Sequence, residues 1–285
     1  MLSAVTVNYN DPKTVEKYVN SILSYPSVDN IIIVDNKSTD DSFDHLSKKY
    51  NHTDKVSVIQ SGRNGGYGFG NNVGVKFAID HFNSDYILIS NSDVKYKDST
   101  IAKLENFMDK DPELAVLSPR MLDINKRPVP NSAWRIPDKK QAFRAAMVGV
   151  RKDTGLLYNF DNKTPLKYVD CVAGSLLLVR GSAFQKIGGY DENIFLFCEE
   201  TVLGIRMNKS RWKSAVAQQE YFIHAHSVSI NKTYKSKKKT DLLTWNSRKY
   251  ILENYYNCSK PELAMMDILV KCHIELSAFK HRIIK

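Results

Sequence analysis

Asn64-Gly65-Gly66-Tyr67-Gly68-Phe69-Gly70-Asn71-Asn72-Val73-Gly74 sets five glycines and three asparagines between two apolar runs. Glycine lets a main chain take positive φ and approach another molecule, and asparagine offers donors and acceptors suited to sugar hydroxyls and phosphate oxygens. The stretch therefore reads as backbone beside a ligand. Its spacing argues against two better-known glycine loops. A dinucleotide fingerprint needs G-x-G-x-x-G, yet Gly68 and Gly70 are followed by Val73, and Gly66 and Gly68 by Asn71. A phosphate-cradling P-loop needs G-K-[ST], which occurs nowhere in the chain. Hydride transfer and ATP hydrolysis thereby lose most of their sequence support.

Outward from this stretch, short β-rich runs alternate with helical ones, the pattern of parallel strands joined by crossover helices. Strands are expected at residues 4–9, 31–34, 56–59, 86–89 and 115–117. Helices are expected from Pro12, after the cap types Ser38-Thr39-Asp40-Asp41, at 71–82 and at 101–108. Ligands of an open parallel sheet sit outside the carboxyl ends of its strands. The polar residues fall there: Asn8 and Asn10 after the first strand, Asp35 after the second, the Gly-Asn stretch after the third and Asp93 after the fourth. One such Asp is ordinarily a turn residue; four placements in one unit point to a site.

Prolines 119, 128, 130 and 137 break up the chain beyond the fifth strand, and residues 120–165 read as irregular acceptor-side loops. Residues 169–179 read as a strand containing Gly174, residues 181–187 as a short helix, and Gly188-Gly189 as a turn into Tyr190-Asp191-Glu192. Phe195-Leu196-Phe197-Cys198 then brings Glu199-Glu200 up against large apolar residues, a setting that raises a carboxyl pKa and suits a base. A helix N-terminus, where Glu complements the dipole, explains one Glu well and the apolar approach less well.

The chain has 285 residues, 42% apolar and 25% charged, enough for one sizeable core and a smaller appendage. No apolar run approaches the roughly 18 residues of a membrane span, and Met1 leads straight into a strand-like run, so a cytoplasmic protein is expected. Cys171, Cys198, Cys258 and Cys272 form no C-x-x-C pair and read as reduced thiols. The net charge of +10 is concentrated in residues 231–285, with 12 Lys or Arg against 5 Asp or Glu. Residues 240–257 and 261–284 read as two amphipathic helices, suited to a membrane surface or to a homodimer contact. Trp245, Tyr250, Tyr255 and Tyr256 among the basic residues favour an anionic membrane surface, and no base-reading motif supports nucleic acid as a partner.

Taken in order, Val7-Asn8-Tyr9-Asn10, Val34-Asp35-Asn36, residues 64–74, Asn91-Ser92-Asp93, Gly188-Gly189-Tyr190-Asp191-Glu192, Glu199-Glu200 and His226-Ser227-Val228-Ser229 resemble glycosyltransferase family 2 over roughly residues 3–230. The likeness is closest to the bacterial branch of rhamnosyltransferases and galactofuranosyltransferases of polysaccharide assembly. It implies a glycosyltransferase-A fold: an α/β, Rossmann-like, mostly parallel sheet flanked by helices. Residues 1–230 would form the catalytic domain and 231–285 a basic, aromatic-rich helical extension. The implied reaction is inverting transfer from a UDP- or dTDP-sugar to a saccharide acceptor, lipid-linked and at the cytoplasmic membrane face, with Mg²⁺ or Mn²⁺.

By the same resemblance Asn8, Tyr9, Asn10, Asp35, Asn64, Gly66, Asn71, Asn72, Asn91 and Ser92 would bind the nucleotide-sugar, Asp35 through the pyrimidine. Asp93 would hold the metal, matching the last acid of a D-x-D motif whose first acid is here Asn91. His226 would complete the metal or diphosphate site, with His224, two residues away on the same face of a strand, as the alternative. Glu200 would be the base and Glu199 its partner; the family has Asp at position 200, so the longer side chain must retract. The departures at Asn91 and Glu200 leave a second reading, a nucleotide-sugar-binding protein without transferase activity.

Overall fold

The computed structural model describes residues 1–148, 155–225 and 236–283. Its sheet starts from runs that are apolar on both faces. β1 (Leu2–Asn8) lies parallel to β2 (Asn30–Asp35) on one side and β4 (Tyr86–Ser90) on the other, and β2 lies parallel to β3 (Val56–Gln60). Ile31, Ile32, Ile33 and Val34 have no exposure, as a central parallel strand covered on both sides requires. The crossovers are α1 (Pro12–Ile22), α2 (Ser42–Tyr50) and α3 (Gly66–Phe82). Proline opens α1, where its missing N–H costs nothing, and Val15, Tyr18, Val19 and Ile22 give that helix its buried face.

β5 (Val94–Lys95), α4 (Asp98–Lys110), β6 (Leu114–Leu122), β7 (Ala133–Trp134), α5 (Lys139–Val148), β8 (Leu166–Val169) and β9 (Cys171–Val172) follow. Then come β10 (Leu176–Arg180), α6 (Gly181–Lys186), α7 (Glu199–Lys209) and β11 (Lys213–His224). The sheet order is β3-β2-β1-β4-β10-β6-β11-β5, with β8 also on β11 and a separate β7-β9 ribbon. The first four strands are parallel. Beyond them β10 runs antiparallel between β4 and β6, β11 is parallel to β6, and β5 and β8 are antiparallel to β11. Two apolar layers, one led by Ile31, Leu88, Leu104 and Leu178 and the other by Ile32, Ile87, Val179 and Phe184, cover the two faces.

Three departures from expectation have local causes. α3 begins at Gly66 rather than Asn71, because the glycines let the helix press against the sheet. A Cβ on Gly74 would meet Val5 and stand 2.8 Å from Val34 Cγ2, and one on Gly70 would stand 2.9 Å from Val7 Cγ1. The expected strand at 169–179 is two strands, β9 and β10, interrupted at Gly174. Within 120–165, β6 runs on to Leu122 and α5 joins the C-terminal helices instead of remaining irregular.

α8 (Lys237–Asn254) and α9 (Lys260–Ile283) pack with α5 around Ala146, Trp245, Leu252, Leu263, Met266, Val270 and Ile274. The aromatics expected at a membrane surface turn inward: Trp245 is 1% exposed and bonded to Asp267, and the Tyr256 hydroxyl donates to the Pro137 carbonyl at 2.7 Å. α9 instead exposes a second apolar row, Met265, Ile268, Leu269 and Leu276, on the side away from its packed one. No described helix is long and apolar enough to cross a membrane. All four cysteines are free thiols.

Candidate functional site

The carboxyl end of β1 meets that of β2 through side chains. Asn8 is buried, and its amide donates to Asp35 Oδ2 at 3.0 Å and to Ser38 Oγ at 3.1 Å. The Asp35 carboxylate, also enclosed, accepts the Ser38 hydroxyl at 2.6 Å and the Ser38 backbone N–H at 3.0 Å. Half-buried Tyr9 leads into Asn10, which stands in the left-handed region at φ 54° and exchanges bonds with Thr39. Asn8, Asp35 and Ser38 thus brace a loop whose outer edge is formed by Tyr9, Asn10 and Thr39. Ser38 had no sequence signal beyond its capping type.

Asn64 caps the turn into α3, accepting from the Asn36 amide and from the Gly66 N–H at 3.2 Å each. Gly66, at φ 89°, lies so close to Phe195 that a Cβ would strike the Phe195 carbonyl, which in turn accepts the Tyr67 N–H at 3.0 Å. Asn71 donates to the Tyr67 carbonyl, and its own Oδ1 is buried without a hydrogen-bond partner. Asn72 staples α3 to the 190 turn: it donates to the Tyr190 carbonyl at 2.9 Å and to Glu192, and accepts the Tyr190 N–H at 2.9 Å. Much of the glycine-asparagine stretch is therefore engaged with protein.

The stretch also delivers Tyr67, which sequence reasoning passed over. Its hydroxyl donates to the Gly174 carbonyl at 2.6 Å. Burial, then Glu200, Glu199 and Asp93, push its pKa far up. Gly174 is the pivot, because its N–H donates to Glu200 Oε1 at 3.2 Å while the neighbouring Ser175 carbonyl accepts the Asn91 N–H at 2.9 Å. A Cβ on Gly174 would stand 2.8 Å from Glu200 Oε1, so the glycine leaves room for the glutamate side chain.

Asn91, Ser92 and Asp93 are half-buried beyond β4, and Asp93 Oδ1 lies 3.2 Å from His224 Nε2 at the end of β11. His226 lies outside the described residues. The described residues hold no group of three or more His, Cys, Asp or Glu set to bind a metal. Asp93 and His224 nevertheless place a hard oxygen and an imidazole at one point, a donor set that fits a divalent cation whose remaining ligands are phosphate and water oxygens.

The two glutamates differ. Glu199 is 4% exposed with Oε1 enclosed and unpartnered, whereas Glu200 is half-buried. Burial first, then Glu200, drives the Glu199 carboxyl well above the usual range; burial also raises Glu200, partly offset by its own backbone N–H and then by that of Gly174. Both stand at the start of α7, after Phe197 at φ 73° and Cys198 at φ 68°. Two successive non-glycine residues in the left-handed region cost roughly 1–3 kcal/mol each. Such backbone persists only where the surroundings over-determine it, and no local sequence pattern announced it.

Chemically, one half-buried carboxylate of raised pKa can take a proton, and an Asp–His pair can hold a cation against an anionic leaving group. The "Glycosyl transferase family 2" model matches residues 3–174. The Low-salt glycan biosynthesis hexosyltransferase Agl10 of Haloferax volcanii is 27% identical over 233 residues, 80% of this chain and 68% of that protein. The N-acetylglucosaminyl-diphospho-decaprenol L-rhamnosyltransferase of Mycobacterium tuberculosis is 27% identical over 242 residues, 80% of this chain and 78% of that protein. Among solved structures, GalNAc-T7 with UDP, GalNAc and Mn²⁺ superposes with a TM-score of 0.65 at 14% identity, over 92% of this chain and 51% of that one.

Proposed function

Because the chain belongs to glycosyl transferase family 2, and is thus a nucleotide-sugar-dependent glycosyltransferase of polysaccharide synthesis with the glycosyltransferase-A fold, we propose that it transfers a hexose from a UDP- or dTDP-sugar to a lipid-linked saccharide with inversion at the sugar C1. One observation carries this reading: residues 174 and 175 join the two halves of the site, the Gly174 N–H on Glu200 Oε1 at 3.2 Å and the Ser175 carbonyl on the Asn91 N–H at 2.9 Å, two residues before the Asp93 that pairs with His224. The rhamnosyltransferase described above, whose name includes a diphospho-decaprenol, supports the lipid-linked acceptor.

Glu200 takes the proton from the acceptor hydroxyl, and that oxygen attacks C1 as the nucleoside diphosphate leaves from the opposite face. Glu199 is the enclosed member of the pair and keeps its proton, so that Glu200 can carry the negative charge alone. The Gly174 N–H holds the Glu200 carboxylate, and Tyr67 in turn fixes the Gly174 carbonyl. Tyr9, Asn10 and Thr39 line the base and ribose side, over the platform that Asn8, Asp35 and Ser38 build. Asn64, Gly66, Asn71 and Asn72 shape the wall opposite, and Asn91 and Ser92 border the diphosphate. Asp93 and His224 would hold Mg²⁺ or Mn²⁺, with His226 as the further candidate; such an ion, when bound, supplies positive charge to the departing diphosphate.

The basic extension holds the enzyme peripherally at the cytoplasmic face of the membrane, with the outer row of α9 rather than the buried aromatics as its apolar element. The deciding experiment supplies UDP-glucose, UDP-galactose, UDP-galactofuranose and dTDP-rhamnose with Mn²⁺ or Mg²⁺ and follows nucleoside diphosphate release with and without saccharide-diphosphate-polyprenol. Turnover of one donor that disappears in Asp93→Ala is the expected result. Donor binding without turnover under every condition would favour a silent binding protein.

A further inference from the structure

α8 and the residue that follows it reach the Asp191–Val202 segment at four points. The Tyr255 hydroxyl, one residue past the helix, donates to Asp191 Oδ2 at 2.6 Å, and the Tyr250 hydroxyl donates to the same oxygen at 3.2 Å. The Ser247 hydroxyl, in the middle of the helix and itself buried, donates to the Leu196 carbonyl at 2.7 Å. Ile251 packs with Ile194 and with Val202 in α7. Asp191 is further tied to Arg206 of α7 at 3.0 Å. Burial opposes ionisation of Asp191, but Tyr255, Asn193 and Arg206 outweigh it and hold the carboxyl below its usual range.

These points bracket Phe197 and Cys198, the two left-handed residues that turn the chain into Glu199 and Glu200. On the opposite side the segment is held by the Tyr67 N–H on the Phe195 carbonyl. Successive carbonyls, 195 and 196, are thus gripped from α3 and from α8. A turn of this kind does not hold itself, because left-handed backbone on side-chain-bearing residues relaxes unless its neighbours fix it. Removing one grip leaves the glutamates present but misplaced, and small misplacements of a reacting group cost rate steeply.

We propose that Ser247 and Tyr255 are positioning residues for the Glu199–Glu200 pair, so that the C-terminal extension is part of the catalytic apparatus. This inference rests on the transferase reading for its kinetic arm only. Hydrogen exchange in Ser247→Ala and Tyr255→Phe, compared with the full-length wild type, should show amides of residues 196–202 exchanging at least about tenfold faster while β1 and β4 are unchanged. Exchange at 196–202 equal to wild type in both variants overturns the proposal whatever the reaction is.

In the donor-release assay the same variants should lose about tenfold in kcat with the donor KM within about twofold, and Ser247→Thr, which keeps the hydroxyl, should recover most of it. A lowered melting temperature with unchanged kcat per folded molecule would mark an ordinary packing role and would also overturn the proposal. If the wild type turns over no donor, the transferase reading falls, and the exchange result still decides whether α8 fixes the segment.

Discussion

Two segments border the site, and they spend glycine in opposite ways. Residues 64–74 carry five glycines, and Gly66, Gly68, Gly70 and Gly74 face protein: the Phe195 carbonyl, Tyr190, Val7 and the Val5–Val34 pair. Residues 195–200 carry no glycine, yet they hold two successive positive-φ residues and the two glutamates. Glycine marks where one part of this chain must come close to another. The strain is stored next to the two glutamates, and side-chain-bearing residues bear it.

The sharpest test of that contrast is Glu200→Gln against Glu199→Gln. Loss of a general base costs about 10²–10⁴-fold in rate, so donor turnover with acceptor present should fall by about 10³-fold in the first. Since glutamine mimics a protonated glutamate, the second should stay within about tenfold of wild type. Equal losses would put both residues in the proton transfer.

Next in size is Gly66→Ala. A methyl there meets the Phe195 carbonyl on a backbone at φ 89°, so chemical denaturation should show a loss of about 3 kcal/mol or more. Gly74→Ala should cost about 1–3 kcal/mol by pushing α3 off Val5 and Val34. If Gly74→Ala folds as stably as wild type but loses donor affinity, the glycines serve the ligand after all.

The last test depends on pH. Glu199 has a raised pKa in the fold, so between its unfolded value near 4.5 and that raised value the native state keeps a proton the unfolded chain has released. Stability then falls as pH rises through this window. Glu199→Gln removes the slope, and urea midpoints should show the variant level with wild type at pH 4, ahead by about 1–2 kcal/mol near pH 5.5 and further ahead at pH 8, since each tenfold difference in proton affinity between folded and unfolded chain is worth about 1.4 kcal/mol. No gain at pH 8 would mean that the ionised form is accommodated in the fold.

The first half of the fold was legible because each strand is a compact apolar run ending at a polar residue, as Ile31 to Val34 ends at Asp35. Asp93, Glu199 and Glu200 were legible as carboxylates at element ends. The start of α3 was not, because helix propensity disfavours glycine while the tertiary gain of close packing on Val5 and Val34 reverses the preference. Tyr67, Gly174 and Ser247 carried no signal, since each acts through a group 107, 26 or 51 residues away. Trp245 misled for the same reason: an aromatic among lysines suits an interface, and only the packing of α5 and α9 shows that it is interior.

The antiparallel β10 has a consequence for how the molecule is made. β4 is buried along its whole length, and its second neighbour, β10, is encoded more than eighty residues later. At a synthesis rate of about 5–20 residues per second, that edge of the young sheet waits on the order of 4–17 seconds for its cover. An apolar strand edge left open is a template for pairing with other chains. Slowing the ribosome between codons 91 and 176 should therefore lower the soluble yield more than slowing it anywhere before codon 86.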